Sequence, residues 1–308
     1  MLPVERFRVV RFLRCGYTLA MQQNQDTIDR WSGSAPYWEK HRGVIRQMFA
    51  GITEGLVADA QAARGQTVLD VATGPGEPAL SVAAVVGAEG KVCGIDPVAG
   101  MVAAARRAAE RLAIKNVEFE VASADALPFQ ADTFDAVISR FGVMFFPSPL
   151  DGVREMLRVL KPGRRLALAV WHFAEKNPFH TVMARVMDQF IPSPPVEPDA
   201  PDAFRFANQG KLLAIFREAG VVTPTERLLQ CKIEAAVPLE DFLTLRLEMS
   251  EKLRDKISKL SKEQVAEARR LARESLGEYS TERGLSFPAE VLIVSGMKDR
   301  RASHRRTV

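Results

Sequence analysis

What most constrains this chain is a unit repeated from Thr67 onward: a short apolar run, a turn, and a helix-forming stretch. The runs Thr67–Val71, Lys91–Ile95, Asn116–Ala122, Phe134–Ser139 and Arg165–Trp171 have the length and apolar content of buried strands. Between them, Glu77–Val86 and the Ala-rich Val98–Leu112 read as helices. A third helix places Val153, Met156, Leu157 and Leu160 at helical spacing and is closed by Lys161-Pro162-Gly163. Strand–helix units of this length predict an α/β fold, a mostly parallel sheet with helices on both faces.

Beyond Trp171 the rhythm changes. Phe173–Phe190 reads as helical, and residues 191–201 contain five prolines in eleven positions, the mark of a rigid irregular loop. Leu212–Ala219 is a further helix, and Glu226–Ile233 and Phe287–Ser295 read as strands six and seven. Between these lie two charged helical stretches, Leu239–Met249 and Glu251–Leu276. The second is expected to break near Ser261, whose hydroxyl can cap a new helix with Gln264 at the third position. The last strand must return to a sheet begun earlier, so we expect one domain over 30–297 with lid-like insertions at 173–201 and 239–280. An N-terminal arm (1–29) and a basic tail (298–308) flank it. The helical stretch carrying Trp31, Tyr37, Trp38 and His41 precedes the first strand, and Tyr37 and Trp38 can close over a ligand or form a buried helix face.

In an open α/β sheet, ligands sit beyond the carboxyl ends of the strands. Asp70-Val71-Ala72-Thr73-Gly74-Pro75-Gly76 puts an acid near the end of the first strand and two glycines on the turn after it, where a ligand can approach the backbone. Asp96 ends the second strand and can accept from a ribose diol. Asp125, after the third, can accept from an exocyclic amine beside an adenine-sized ring. Met101 can line that ring or simply fill the core. Gly74-x-Gly76-x-x-Ala79 also satisfies a loose dinucleotide pattern. Asp70 and Glu77, however, put negative charge where a pyrophosphate would lie, which favours a ligand with a cationic tail.

The runs DVATGPGEP (70–78), GID (94–96), ADALPF (124–129), FDAVISRFGVMFF (134–146) and LKPG (160–163) together resemble the class I S-adenosylmethionine-dependent methyltransferases, in style the ubiquinone/menaquinone-biosynthesis type. The likeness covers about residues 30–172. It implies a Rossmann-like, seven-stranded sheet with helical insertions after strands five and six, and S-adenosylmethionine as cofactor. By the resemblance Asp70, Gly74 and Gly76 surround the methionine part, Asp96 the ribose, and Asp125 with Ala126 the adenine. Arg140 and Phe141 follow the fourth strand beside the methyl donor, and Ala72, Pro97, Met101 and Ser139 complete the expected contacts. His172, directly after the fifth strand, is the best-placed base by sequence, with a capping role as its rival. Arg140 is the second catalytic candidate, able to orient an oxygen-rich acceptor or to pair with an acid.

Several classes are disfavoured. No Asn/Asp-Pro-Pro-aromatic run follows the fourth strand and no Pro-Cys occurs, so the usual arrangements for methylating nucleic-acid bases lack their motif. The formal charge of +4 is concentrated at the ends. Arg6, Arg8, Arg11 and Arg14 against Glu5, with Lys298, Arg300, Arg301, Arg305 and Arg306 against Asp299, leave the body between net negative, which argues against a nucleic-acid partner. Cys15, Cys93 and Cys231 are too few for a disulfide framework and fit a reducing, cytoplasmic setting. No metal-ligand cluster and no apolar run of 18 residues stands out, so neither a metal nor a membrane span is expected. The expectation is a small-molecule methyltransferase, monomer or homodimer, with a small and apolar or aromatic acceptor. An NAD(P)-dependent oxidoreductase and a non-catalytic adenosyl-ligand binder are the alternatives.

Overall fold

The computed structural model describes residues 25, 27–197 and 199–301. The expectations for residues 1–20, including Cys15, and for the end of the basic tail lie outside these. Residues 27–40 form helix α1, followed by α2 (Arg42–Met48) and α3 (Ala50–Asp59). The sheet then begins: β1 (Thr67–Val71), α4 (Ala79–Val86), β2 (Lys91–Asp96), α5 (Ala99–Arg111), β3 (Val117–Val121), β4 (Phe134–Arg140), α6 (Pro149–Val159) and β5 (Leu160–Trp171). The second half adds α7 (Pro178–Asp188), α8 (Lys211–Glu218), β6 (Val222–Ala235), α9 (Leu239–Met249), α10 (Glu251–Ser258), α11 (Lys262–Leu276), β7 (Ser280–Thr281) and β8 (Gly284–Met297).

The strand order is β3-β2-β1-β4-β5-β8-β6, with β7 paired to β8 off that path. Strands β3 to β5 in this order are parallel, whereas β8 runs antiparallel between β5 and β6. Val68, Leu69 and Val71 of β1 and residues 291–294 of β8 are buried, as the inner strands of a sheet covered on both faces must be. The order reverses between β1 and β4, which places the ligand crevice at the carboxyl ends of these two strands.

The sheet has eight strands rather than the expected seven. The eighth is the two-residue β7, which folds back on β8 through Gly284 at φ +129°. A Cβ there would lie 2.1 Å from the Ala235 carbonyl. So short a strand has no periodicity to detect. Leu160 also differs from expectation: it opens β5 and pairs with Phe134 instead of ending the preceding helix. That helix is set by Pro149 at its first turn and by Ser148, which accepts from the Asp151 amide. At Ser261 the expected break is present, with Gln264 completing the capping box of α11.

The helical insertions pack on the same core as the sheet. Phe179 of α7 lies against Phe49, Phe242 and Phe287, joining α7, the α2–α3 junction, α9 and β8 in one aromatic cluster. Helix α1 is tied to the end of α9: the Trp38 indole donates to the Met249 carbonyl at 3.3 Å, Lys40 pairs with Glu248 at 2.7 Å, and His41 reaches the same carboxylate at 2.5 Å. This clamp covers the crevice at the strand ends.

Candidate active site

The site is built on two abrupt turns at the switch point. Ala72, directly after β1, has φ +61°, and Phe141, directly after β4, has φ +63°. Left-handed backbone is unfavourable for residues other than glycine and persists where the surroundings impose it. Here the two turns pack together at Gly142, where a Cβ would lie 2.5 Å from the Ala72 methyl and 2.7 Å from the Ser139 hydroxyl.

The two glycines of the first turn have different jobs. Gly74, at φ +56°, faces open space, so nothing prevents a ligand from lying against it. Gly76, at φ +102°, is a packing residue: its Cβ would lie 2.8 Å from Leu80 Cδ1 and 3.3 Å from Ala105 Cα. Asp96 braces the turn from β2. Its Oδ2 accepts from the Gly74 amide and its Oδ1 from the Val98 amide, both at 2.9 Å. Burial pushes its pKa up to about 6 against the pull of these two amides.

Asp70 lies behind the turn with no exposed surface. Its Oδ2 accepts from the Thr73 hydroxyl at 2.6 Å and the Ala79 amide at 3.0 Å, while Oδ1 is buried without a hydrogen bond. Burial pushes its pKa up to about 7, even though Thr73 and Arg140 favour the charged form. Arg140, also buried, donates to the Thr53 hydroxyl at 2.5 Å and the Glu77 carbonyl at 3.3 Å and sits 5.4 Å from the centre of the Phe49 ring. The Glu77 carboxylate takes the Ser81 hydroxyl at 2.6 Å and faces Arg42 at 3.6 Å.

A cavity of about 420 Å³ opens above these turns, within the size range of small-molecule sites. Of the residues singled out from sequence, Ala72, Gly74, Asp96, Pro97, Met101, Asp125, Arg140 and Phe141 line it. Asp70, Gly76, Ala126, Ser139 and His172 do not. The first two support the turn from behind, and Ser139 is completely buried in β4. His172 is turned away by Glu290 of β8, whose carboxylate meets its Nδ1 at 2.7 Å. A proton acceptor in that position does not face the cavity, because the chain alternates sides at the end of β5 and it is Trp171 that points inward.

Sequence reasoning missed much of the far wall. Trp171 stacks on Phe141 at 4.0 Å between ring centres, and His180 meets the other side of this group, 4.6 Å from Trp171. Trp31, Trp38, Phe49, Phe179 and Phe204 add aromatic surface, and Arg246 lines the cavity from α9. Of Tyr37 and Trp38, only Trp38 reaches the cavity; Tyr37 packs under Arg254, 4.7 Å from its ring centre. One signal for Arg246 was present: it interrupts the helical stripe Phe242, Leu245, Met249 with a cation.

Residues 50–192 match the model of the ubiE/COQ5 methyltransferase family. That segment, from α3 through α7, is similar to a ubiE/COQ5 methyltransferase core. The ubiquinone/menaquinone biosynthesis C-methyltransferase UbiE of Geobacter sulfurreducens is 41% identical over 105 residues, 34% of this chain and 41% of that protein. Its Salmonella arizonae counterpart is 41% identical over 104 residues, 33% of this chain and 41% of that protein. The match thus spans about two fifths of each relative's length. Among solved structures, YcgJ of Bacillus subtilis superposes with a TM-score of 0.54 at 19% identity, covering 81% of this chain and 99% of that one. A putative methyltransferase of Bacillus halodurans gives 0.51 at 24%, covering 81% and 99%. The [4+2]-cyclase SpnF gives 0.51 at 18%, covering 87% of this chain and 97% of that one. These likenesses show the fold, and a cyclase among them shows that this fold does not by itself fix the reaction.

Proposed function

We propose that the chain transfers a methyl group from S-adenosylmethionine to a small acceptor with an apolar or aromatic body. The observation that carries this reading is the open face of Gly74 beside Asp96, at one end of an aromatic-walled cavity. The residues present fit the cofactor. Each Asp96 oxygen has spent one acceptor site on a backbone amide and keeps another for a ribose hydroxyl. Asp125 and Met101 border the space an adenine would take, and Glu77 supplies negative charge on the turn. We assign Asp70 and Gly76 to holding the turn rather than to contacting the ligand.

When bound, S-adenosylmethionine supplies an electrophilic methyl on a sulfonium. The chain's own work is then to align the acceptor and to keep water out. Phe141 and Trp171 form a flat wall beyond the β4 turn, while Trp38, held to Met249, roofs the cavity. Glu77, buried on the turn where a pyrophosphate would have to lie, weighs against a nicotinamide dinucleotide, as do the antiparallel β8 and β6 in place of a parallel sixth strand. The net negative body supports a small-molecule acceptor over nucleic acid. No helix among the described residues is long and apolar enough to cross a membrane.

Calorimetric titration with S-adenosylmethionine, S-adenosylhomocysteine and NAD tests the reading. The two adenosyl ligands bind, and Asp96→Ala weakens them by about 1–3 kcal/mol through lost charged hydrogen bonds. Preference for NAD, or no adenosyl-ligand binding, overturns it. Labelled-methyl transfer to a panel of aromatic acceptors then separates an enzyme from a binding protein.

A further inference from the structure

The far end of the cavity holds a cation without a polar partner among the described residues. Arg246 is only 6% exposed, and among the described residues it makes no hydrogen bond and no ion pair. Its Nε is buried unpaired. Its one close neighbour of note is the Phe179 ring, 4.3 Å from the guanidinium carbon to the ring centre. The four other cations lining the cavity are all engaged. Arg30 donates to the Thr27 hydroxyl, Arg140 to Thr53 and the Glu77 carbonyl, Lys252 to Asp202, and Lys256 to Asp188 and Ser193.

Burial alone lowers the Arg246 pKa, to about 10, with no carboxylate pulling the other way, so the group remains charged at neutral pH. A buried charge without a partner is costly, and an arginine carries a planar fork of donors suited to a carboxylate. Beside it, His180 has an unpaired, buried Nε2. Burial and the neighbouring Arg246 hold its pKa well below the usual histidine value, so the ring is neutral and Arg246 is the one lining cation without a hydrogen-bond or ion-pair partner among the described residues. Lys256 and Asp188 cancel each other at the α7–α10 contact, Lys252 and Asp202 do so nearby, and Glu251 lies exposed at the start of α10.

We propose that Arg246 and His180, supplied by the two helical insertions, form the acceptor-binding end of the cavity, and that the acceptor is a monocarboxylate with an aromatic or apolar body. The inference rests on the functional reading above. The carboxylate takes the Arg246 fork, the neutral His180 ring offers it a hydrogen bond, and the body lies along Trp171 and Phe141 toward the β4 turn. The edge-on His180–Trp171 contact at 4.6 Å and the stacked Trp171–Phe141 pair at 4.0 Å make this a continuous aromatic path.

The test is calorimetric titration of 3-phenylpropionate and of the uncharged 3-phenylpropionamide into the full chain, with and without saturating S-adenosylhomocysteine. The wild type is expected to prefer the acid by about tenfold or more. Arg246→Leu is expected to erase that preference while leaving S-adenosylhomocysteine affinity unchanged and thermal stability equal or higher, since it removes an uncompensated buried charge. Arg246→Lys is expected to keep part of the preference, having the charge without the fork. Equal binding of acid and amide by the wild type overturns the proposal. So does an Arg246→Leu protein that loses S-adenosylhomocysteine affinity, because Arg246 would then serve the carboxylate of the cofactor. Failure of the wild type to bind S-adenosylhomocysteine overturns the methyltransferase reading instead, and the titrations without it still decide the role of Arg246.

Discussion

Replacing each turn glycine by alanine separates the ligand-facing part of the β1 turn from its support. At Gly76 the added Cβ meets buried Leu80 at 2.8 and 3.2 Å and the α5 backbone at 3.3 Å, with φ at +102°. Left-handed backbone costs about 1–2 kcal/mol and overpacking about 1–3 kcal/mol, so Gly76→Ala is expected to lose about 2–5 kcal/mol of folding stability. That is a large part of the ~5–15 kcal/mol that holds a domain folded. At Gly74 the Cβ meets nothing within 4 Å and φ is +56°, so only the backbone penalty of about 1–2 kcal/mol applies. The same methyl, however, enters the space assigned to the cofactor. Gly74→Ala is therefore expected to weaken S-adenosylhomocysteine by about tenfold or more, ~1.4 kcal/mol. Urea unfolding followed by circular dichroism gives the first quantity and calorimetry the second. Wild-type affinity in Gly74→Ala would refute the placement of ligand against the turn, and wild-type stability in Gly76→Ala would refute the packing assignment.

Asp70 gives a pH test. Its folded pKa of about 7 lies above its ordinary 3.8, so the native state binds the proton more tightly. The stability this contributes is complete below about pH 4 and is lost as pH rises through about 7. Asn at this position keeps an oxygen for Thr73 and Ala79 but cannot ionise, so Asp70→Asn should flatten the fall in urea midpoint between pH 5 and pH 8; an unchanged slope would assign that fall to other groups. Ser261→Ala removes the N-cap of α11 and should cost about 1 kcal/mol in the same assay, with no change in S-adenosylhomocysteine affinity. His172→Ala should destabilise the β5–β8 junction through loss of its 2.7 Å contact with Glu290 while methyl transfer persists, and abolished transfer in a folded, cofactor-binding protein would restore His172 as a base.

The half of the cavity proposed for the cofactor was legible because it is local. The β1 turn, the acid ending β2 and the turn after β4 are each written in a few consecutive residues, and parallel topology brings such strand ends together whatever the loops do. Even there, sequence did not distinguish the lining Gly74 from the packing Gly76. That distinction depends on α5, which packs against the turn from about thirty residues away, at Ala105. His172 failed for a similar reason. Its place after β5 was visible, but its direction is set by Glu290, 118 residues later on a strand running the opposite way.

The half proposed for the acceptor is a product of packing. Sequence alone determined the α/β alternation, the acids and glycines at the ends of the early strands and the break at Ser261, since each follows from periodicity, turn chemistry or capping over a few residues. Only the tertiary structure brought Trp38, Trp171, His180 and Arg246 to one cavity, from four elements spread over more than 200 residues of chain. It also decided that Arg246 would be buried with no polar partner among the described residues. Whether a charge is paired depends on which groups from distant elements reach it, and no local pattern encodes that.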